Sequence, residues 1–377
     1  MENIDTKAED ISVIITTRGR INLVDKLLES LVEAGKKFPA KYETFIIDDS
    51  NPEDAEALKI VCQKYQATYV AGPAKVTQKR NLGGNLSHNP ILLFLDSDCQ
   101  ATPDLFVEHE KCFHTKEIGA VLGLLKFVGP DTWIWKGIEL TPYVMPFDFP
   151  LYMKYAPWGP TANFSVRRES FLRINGFDET FPQKPGGEDV DLGLRLTKTK
   201  QLIFCNSSAI VYHSKDTWVP IRQIVSRFFQ WGAAECYLMD KHPENIVNTL
   251  PRFTLVAAIS FLATIFFTAL TRNYFSLLIF PVWILVQLNF QTLFQILWAK
   301  RPIQRFFHQL FALVITIINE MGLVKEIFRQ KKFRFWVQQM IYTPGQMEGE
   351  WYYGGSKIWS TFLSFIVVFG LALCITN

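Results

Sequence analysis

Two hydrophobic periods alternate through the first half of the chain. Residues 11–17 are β-rich and predict a first strand, which Arg18-Gly19-Arg20 breaks. Over residues 21–34, Leu23, Leu27, Leu28, Leu31 and Val32 recur at helical spacing. A second strand, 42–47, runs into Asp48-Asp49-Ser50. Asn51-Pro52 and the acidic pair Glu53-Asp54 then open a helix in which Ala55, Leu58 and Val61 are periodic. A short strand at 68–71, a helix over 77–87 and an apolar strand at 91–95 follow. Such alternation predicts a doubly wound, mainly parallel α/β sheet with right-handed crossovers.

The pattern loosens over residues 119–213. Strands are predicted at 120–127, 163–166, 202–205 and 209–212. Short helices are predicted at 168–174 and 189–196, the second just after Gly186-Gly187. Residues 131–158 are dense in Trp, Tyr, Phe and Pro without a clear period, and read as a loop-rich platform.

Beyond residue 250 the pattern changes again. Runs 253–271, 274–298, 306–324 and 358–375 are apolar and close to the roughly 20 residues that span a bilayer. Pro281, Gln287, Asn289, Gln291 and Gln295 interrupt the second, and His308, Gln309, Asn319 and Glu320 the third. Arg272-Asn273 alone separates the first two, so they predict a tight hairpin. Lys300, Arg301 and Arg305 favour the same side as the N-terminus. Lys325, Arg329, Lys331, Lys332 and Arg334 resist export, so 306–324 reads as re-entrant or interfacial and 325–353 as an amphipathic cytosolic stretch. Three crossings and four both remain open. The division is then a polar tail (1–10), an α/β domain (11–245) and an α-helical membrane region (246–377).

Composition sharpens this picture in three ways. Thirty-two Phe and ten Trp suit a membrane region with aromatic belts. A net charge of only +3 gives no case for nucleic acid. Six scattered cysteines without C-x-x-C read as reduced and structural, in a cytosolic domain. The acidic first ten residues lack the basic-then-apolar pattern of a cleavable signal peptide.

Candidate chemistry gathers at strand ends. Asp96 and Asp98 follow the strand at 91–95 and can aim two carboxylates into the crevice beyond it. Two carboxylates with a diphosphate hold a hard divalent cation well, where one does not. Glu188, Asp189 and Asp191 crowd three acids into four residues at a helix start.

Six segments, in order, resemble family 2 glycosyltransferases, which have the GT-A fold. Residues 11–20, Ile-Ser-Val-Ile-Ile-Thr-Thr-Arg-Gly-Arg, are similar to the family's opening strand. Phe45-Ile46-Ile47-Asp48-Asp49-Ser50 resembles V-V-D-D-G-S, Lys79-Arg80-Asn81-Leu82-Gly83 resembles A-R-N-x-G, and Leu95-Asp96-Ser97-Asp98 resembles the D-x-D. Asn175-Gly176-Phe177-Asp178-Glu179 and Gly187-Glu188-Asp189-Val190-Asp191-Leu192 resemble the G-G-F-D-E and E-D segments. The departures are Thr17 where Tyr is usual, no Pro before it, and Lys79 where Ala is usual.

The resemblance implies an inverting, metal-dependent transferase and assigns roles. Thr16, Arg18, Asp49, Arg80 and Asp96 would bind the nucleotide-sugar donor. Asp98, with Asp96 and His213, would hold Mn²⁺ or Mg²⁺. Asp189 would be the general base, with Glu188 and Asp191 as rivals. Trp158, Asn163, Arg227 and Trp231 would lie on the acceptor side. The implied acceptor is a lipid-linked glycan or polysaccharide precursor at the membrane, with the catalytic domain cytosolic. Arg227 and Trp231 match the Q-x-x-R-W of processive members poorly, which favours single transfer over a processive polysaccharide synthase. A catalytically inactive membrane scaffold is the non-enzyme alternative.

Overall fold

A computed structural model describes residues 8–182, 186–248, 252–298, 305–343 and 370. The elements of the first half are β1 (Ile11–Thr17), α1 (Ile21–Lys37), β2 (Tyr42–Asp48), α2 (Pro52–Lys64), β3 (Thr68–Ala71), α3 (Val76–Leu86), β4 (Ile91–Asp96), β5 (Cys99–Ala101), α4 (Leu105–Glu110) and β6 (Ile118–Val128). Then come α5 (Trp133–Ile138), α6 (Phe149–Tyr152), β7 (Tyr155–Ala156), β8 (Asn163–Arg167), α7 (Arg168–Arg173), α8 (Glu188–Lys198) and β9 (Leu202–Ser214). Last are α9 (Ile221–Lys241), β10 (Ile246–Asn248), α10 (Phe253–Thr271), α11 (Ile279–Trp298), α12 (Phe306–Gln330) and β11 (Gln338–Met340).

Two compact units result. One runs to Pro130 and resumes over Val144–Pro220; the second joins Asp131–Tyr143 to the chain from Ile221 onward. The division therefore falls at Pro220, not near residue 245, because α9 packs along α12.

The first unit is built on a sheet of order β3-β2-β1-β4-β8-β6-β9-β5. Its first four strands are parallel. Beyond β4 the sheet is mixed: β8 is antiparallel to β4 and β6, and β5 and β7 are antiparallel to β9. β6 and β9 pair in parallel along the longest register of the sheet, so the expectation of a mainly parallel sheet holds, with antiparallel strands set into its second half. Strands 202–205 and 209–212 are one long strand, β9, with a register shift opposite Gly123 and Leu124. Val24, Leu27, Leu28 and Leu31 form the buried stripe of α1 and join Ile11, Val13, Leu93 and Leu95 in the core. Order reverses between β1 and β4, which makes that boundary the switch point where open α/β sheets seat ligands.

The second unit is helical, with β10 and β11 as a small antiparallel pair. Among the described residues one helix, α10, is long and apolar enough to cross a membrane. The run at 274–298 is a short 3₁₀ segment, Tyr274–Leu278, followed by α11. The run at 306–324 extends to residue 330 as α12, with Asn319, Glu320 and Glu326 buried. A Cβ on Gly232 of α9 would run into the Asn319 carbonyl oxygen, and one on Gly322 of α12 into that of Phe229. Glycine at both crossing points is what lets these two backbones touch. The run at 358–375, and Lys300 and Arg301, lie outside the described residues, residue 370 apart.

Candidate active site

Thr16, near the end of β1, stands in register with Ile47 on one side and Asp96 on the other. An open cleft of about 690 Å³ lies past the ends of β2 and β3, lined by Arg18, Asp48, Asp49, Ser50, Lys59 and Tyr69 among others. Asn51 caps α2 by accepting the Asp54 N–H at 2.9 Å, so Asp49 is not the cap. Instead Asp49 Oδ1 lies 2.5 Å from Lys79 Nζ, which also donates to the Thr17 carbonyl oxygen at 2.8 Å. Lys79, the departure from the family pattern, thus pins the cleft carboxylate to β1. Arg18 is exposed, 3.9 Å from Asp49 Oδ2. Asp48 is buried and accepts from Ser50 Oγ and, at 3.0 Å, from the Tyr69 hydroxyl. Burial and Asp48 push the Tyr69 phenol up to about 12.

Arg80 is buried and bridges two carboxylates, Glu188 at 2.8 Å and Asp96 at 3.6 Å, with Phe177 against its guanidinium. It therefore holds Asp96 against the E-D segment, and a direct diphosphate contact would require giving up those pairs. Asn81, beside it, accepts the Phe177 N–H at 2.8 Å and donates to the Phe177 carbonyl oxygen at 2.9 Å.

Gly187 caps α8 at φ 79°, a conformation open to glycine, and turns three acids into the first turn. They separate sharply. Glu188 is committed to Arg80 and to the Gly186 N–H at 2.6 Å. Asp191 is buried and paired with Arg195 at 2.7 Å. Asp189 has no ion pair among the described residues and keeps partial access to solvent. Dense surrounding protein strips its hydration and, with the Glu188 charge, pushes its carboxyl up to about 7.

Asp98, two residues past Asp96, is buried where β5 pairs with β9. That pairing sets Cys99 opposite His213 and brings His213 Nε2 to 3.2 Å from Asp98 Oδ1. Burial opposes charge on Asp98, but His213 and Arg20 outweigh it and hold the carboxyl below its usual range. Arg20, which sequence reasoning passed over, lies 3.1 Å from Asp98 Oδ2.

Asp98, Cys99 and His213 place donor atoms within 4.8 Å of one another. Burial pushes the Cys99 thiol well up, and its hydrogen points to the Ala162 carbonyl oxygen at 3.6 Å. A soft, protonated thiol does not suit Mn²⁺ or Mg²⁺, which take oxygen and imidazole nitrogen. Asp98 Oδ1 is buried with no aligned hydrogen bond among the described residues. His213 Nδ1 stands 3.1 Å from the Ser214 carbonyl oxygen. A proton placed there leaves an Nε2 lone pair facing Asp98, the arrangement usual for a ligating histidine. Two acceptors at that separation need a proton or a cation between them, so the pair fits a hard divalent ion.

Two of the residues expected on the acceptor side are buried. Asn163 is buried, with its oxygen facing His109 Nε2 at 2.9 Å and its amide donating to the carbonyls of Leu124 and Ala209. It fills the irregularity where β9 shifts register. Burial pushes His109 down to about 4, so it serves as a neutral partner. Trp158 is buried against Phe149, and a Cβ on Gly193 of α8 would meet its backbone. It braces α8 and is not an exposed platform. Arg227 and Trp231 stand one turn apart on α9, where Trp231 packs on Phe228 and near Tyr143.

Residues 12–174 match the family described as glycosyl transferase family 2, and 152–215 match the N-terminal domain of galactosyltransferase. The chain is 28% identical over 219 residues to a validoxylamine A glucosyltransferase of Streptomyces hygroscopicus subsp. limoneus, covering 49% of this chain and 47% of the relative. The protein of the same name from subsp. jinggangensis is 27% identical over 219 residues, covering 49% and 51%. The chain thus spans about half the length of the curated relatives it matches. A solved mannosyltransferase, PcManGT from Pyrobaculum calidifontis, in complex with GDP-Man and Mn²⁺, aligns at TM-score 0.48 and 15% identity over 63% of this chain and 65% of that one.

Proposed function

We propose that this chain, which carries a glycosyltransferase family 2 domain over residues 12–174, is a membrane-bound inverting glycosyltransferase. It moves one sugar from a nucleotide-sugar to a membrane-proximal acceptor, a lipid-linked glycan or polysaccharide precursor. The observation that carries the chemistry is the sorting of the three acids on α8, which leaves Asp189 alone outside an ion pair and near pKa 7. A base poised near the working pH is what proton removal from a hydroxyl needs. In this reading the nucleotide lies in the cleft at Asp49 and Arg18, with its diphosphate toward Asp96 and Asp98. Asp98 and His213, joined by Asp96 from two residues earlier in the chain, would hold Mn²⁺ or Mg²⁺, which offsets charge on the departing diphosphate. Asp189 takes the proton from the acceptor hydroxyl. That oxygen bonds to the anomeric carbon as the bond from that carbon to the diphosphate oxygen breaks, so the configuration inverts.

The membrane half of the reading rests on an inverted helix pair. On α10 the buried positions past Phe253 are Ser260, Thr264 and Thr268. Leu262, Phe266 and Leu270 on the same helix are 64%, 71% and 72% exposed. The inward hydroxyls of Thr264 and Thr268 bond to carbonyls one turn back. On α11, Gln287 and Thr292 are buried together with Trp283 and Ile296, while Val282, Leu285 and Phe290 are exposed. Hydroxyls inside and large apolar side chains outside on α10, with an apolar outer face on α11, support a lipid surround. The Trp336 carbonyl accepts the Arg252 N–H at 3.2 Å, and its indole N–H donates to Thr254 Oγ1. Lys331 to Arg334 thus lie at the end where α10 begins, which supports a cytosolic basic stretch and a far-side Arg272-Asn273.

Incubation of the purified protein with UDP-, GDP- and dTDP-sugars, Mn²⁺ and lipid-linked acceptors tests the function. Addition of one sugar is expected. Long polymer would indicate a processive synthase, and no turnover or simple donor hydrolysis an inactive scaffold.

A further inference from the structure

Asp96 and Asp98 each have an arginine, and the two arginines are unlike. Arg80 is buried and held by Glu188 at 2.8 Å as well as by Asp96. Arg20 reaches Asp98 Oδ2 at 3.1 Å and Ser97 Oγ at 3.3 Å, and its side chain is 40% exposed. Among the described residues no second carboxylate holds it.

The backbone under Arg20 is unusual. It caps α1 at φ 62° and ψ 34°, directly after Gly19 at φ 64°. The left-handed region crowds a Cβ against the following carbonyl, and glycine would occupy it freely. Strain of this kind is found where a side chain must be aimed. What the turn delivers here is a guanidinium from the β1–α1 loop onto the D-x-D at the switch point.

That position sets a competition. A divalent cation on Asp98 and a guanidinium about 3 Å from the same carboxylate repel each other in a site of low dielectric. A nucleoside diphosphate changes the balance, because its oxygens match the planar fork of an arginine. Arg20 has the exposure to turn toward them; Arg80, locked by Glu188, does not.

We infer that Arg20 couples cation binding to diphosphate binding. It holds Asp98 against a cation that comes alone, then passes to the donor's diphosphate and releases Asp98 to the metal. Linkage makes the coupling mutual, so each ligand strengthens the other. The inference rests on the donor site proposed above.

Calorimetric titrations of wild type, Arg20→Met and Arg20→Lys test it. Mn²⁺ is titrated without nucleotide, and UDP or GDP at saturating Mn²⁺. Arg20→Met is expected to bind Mn²⁺ at least roughly tenfold tighter, because Asp98 loses a competing cation. It is expected to bind whichever of UDP and GDP the wild type binds roughly tenfold weaker, because a charge-assisted phosphate contact is lost. Arg20→Lys should fall between. Arg20→Gly removes the guanidinium while relieving the φ, so it should reproduce both shifts with a melting temperature no lower than wild type. The opposite signs are diagnostic, since a helix cap of purely structural role would weaken both ligands together. Weakening of both, or no change in either, overturns the coupling alone. Wild type that binds neither nucleotide in the presence of Mn²⁺ overturns the donor site and the coupling with it.

Discussion

The two units of this chain sort their side chains in different ways. In the first, Val24, Leu27, Leu28 and Leu31 face inward from α1, and polar side chains gather at strand ends. In the second, α10 turns the hydroxyls of Ser260, Thr264 and Thr268 inward and Leu262, Phe266 and Leu270 outward. The first unit is held by apolar burial, which leaves buried charge to be settled in pairs such as Arg80–Glu188 and Lys79–Asp49. The second has no such drive between its apolar helices if lipid surrounds them, so close backbone approach and inward polar groups supply the contacts. On the proposed reading, chemistry concentrates in the first unit and membrane placement in the second.

The largest effect expected lies in the first unit. Asp98→Ala should reduce sugar transfer to background and abolish metal-dependent nucleotide binding, since in the proposed reading Asp98 and His213 would hold the cation. Near-normal transfer by this variant without added metal would remove the metal assignment. Asp189→Asn comes next. Donor affinity should stay near wild type while kcat falls about 10²–10⁴-fold. The wild-type rate should rise with pH through about 7, because the base works as the carboxylate and is protonated below that value. That limb should vanish in the variant. Equal losses in donor affinity and rate would move Asp189 into the donor site.

One substitution tests the contrast between the units directly. Leu262 is 64% exposed, so in water Leu262→Asp would be nearly neutral, within about 0.5 kcal/mol. In lipid a carboxylate mid-helix costs about 2.5–3.5 kcal/mol. Membrane-insertion efficiency of the two sequences separates these cases, and unaltered insertion would sink the lipid reading of α10. A smaller effect is expected at Asn163→Ala. It should lower stability by about 1–3 kcal/mol through the unpaired carbonyls of Leu124 and Ala209, with donor binding unchanged. A selective rise in acceptor KM would instead restore Asn163 to the acceptor side.

Asn163 shows what a sequence carries and what only the fold supplies. β1 and β3 were legible to the residue because their apolar runs end at sharp breaks. The D-x-D was legible because it sits just past such a run. β5 is three residues with no period, and only its pairing with β9 reveals it. That same pairing delivers His213 to Asp98, a contact 115 residues apart in the chain that no local pattern encodes. Asn163 and His109 are ordinary polar letters until a register shift in β9 gives them carbonyls to satisfy. Arg20 reads as part of a turn, and its importance lies in a left-handed φ that spacing does not report. Likewise the crowd of acids at 188–191 was visible, but which acid is left for chemistry depends on Arg80 and Arg195 arriving from elsewhere in the fold.

The finest test concerns that crowd. Glu188→Gln removes the negative charge that helps raise Asp189, and leaves Arg80 without its closest partner. Both changes favour the charged form of Asp189. Its pKa should therefore fall, and the rising limb of the pH–rate profile should move to lower pH by about one unit. At pH 8, where Asp189 is already ionised in wild type, the rate should change less than in Asp189→Asn. A limb that stays in place would mean that Glu188 is electrostatically invisible to the base. A large loss in Glu188→Gln at every pH, with little loss in Asp189→Asn, would transfer the base role by one residue. The outcome discriminates because the two neighbours on α8 differ in one respect: Glu188 is spent on Arg80 and Gly186, and Asp189 is not.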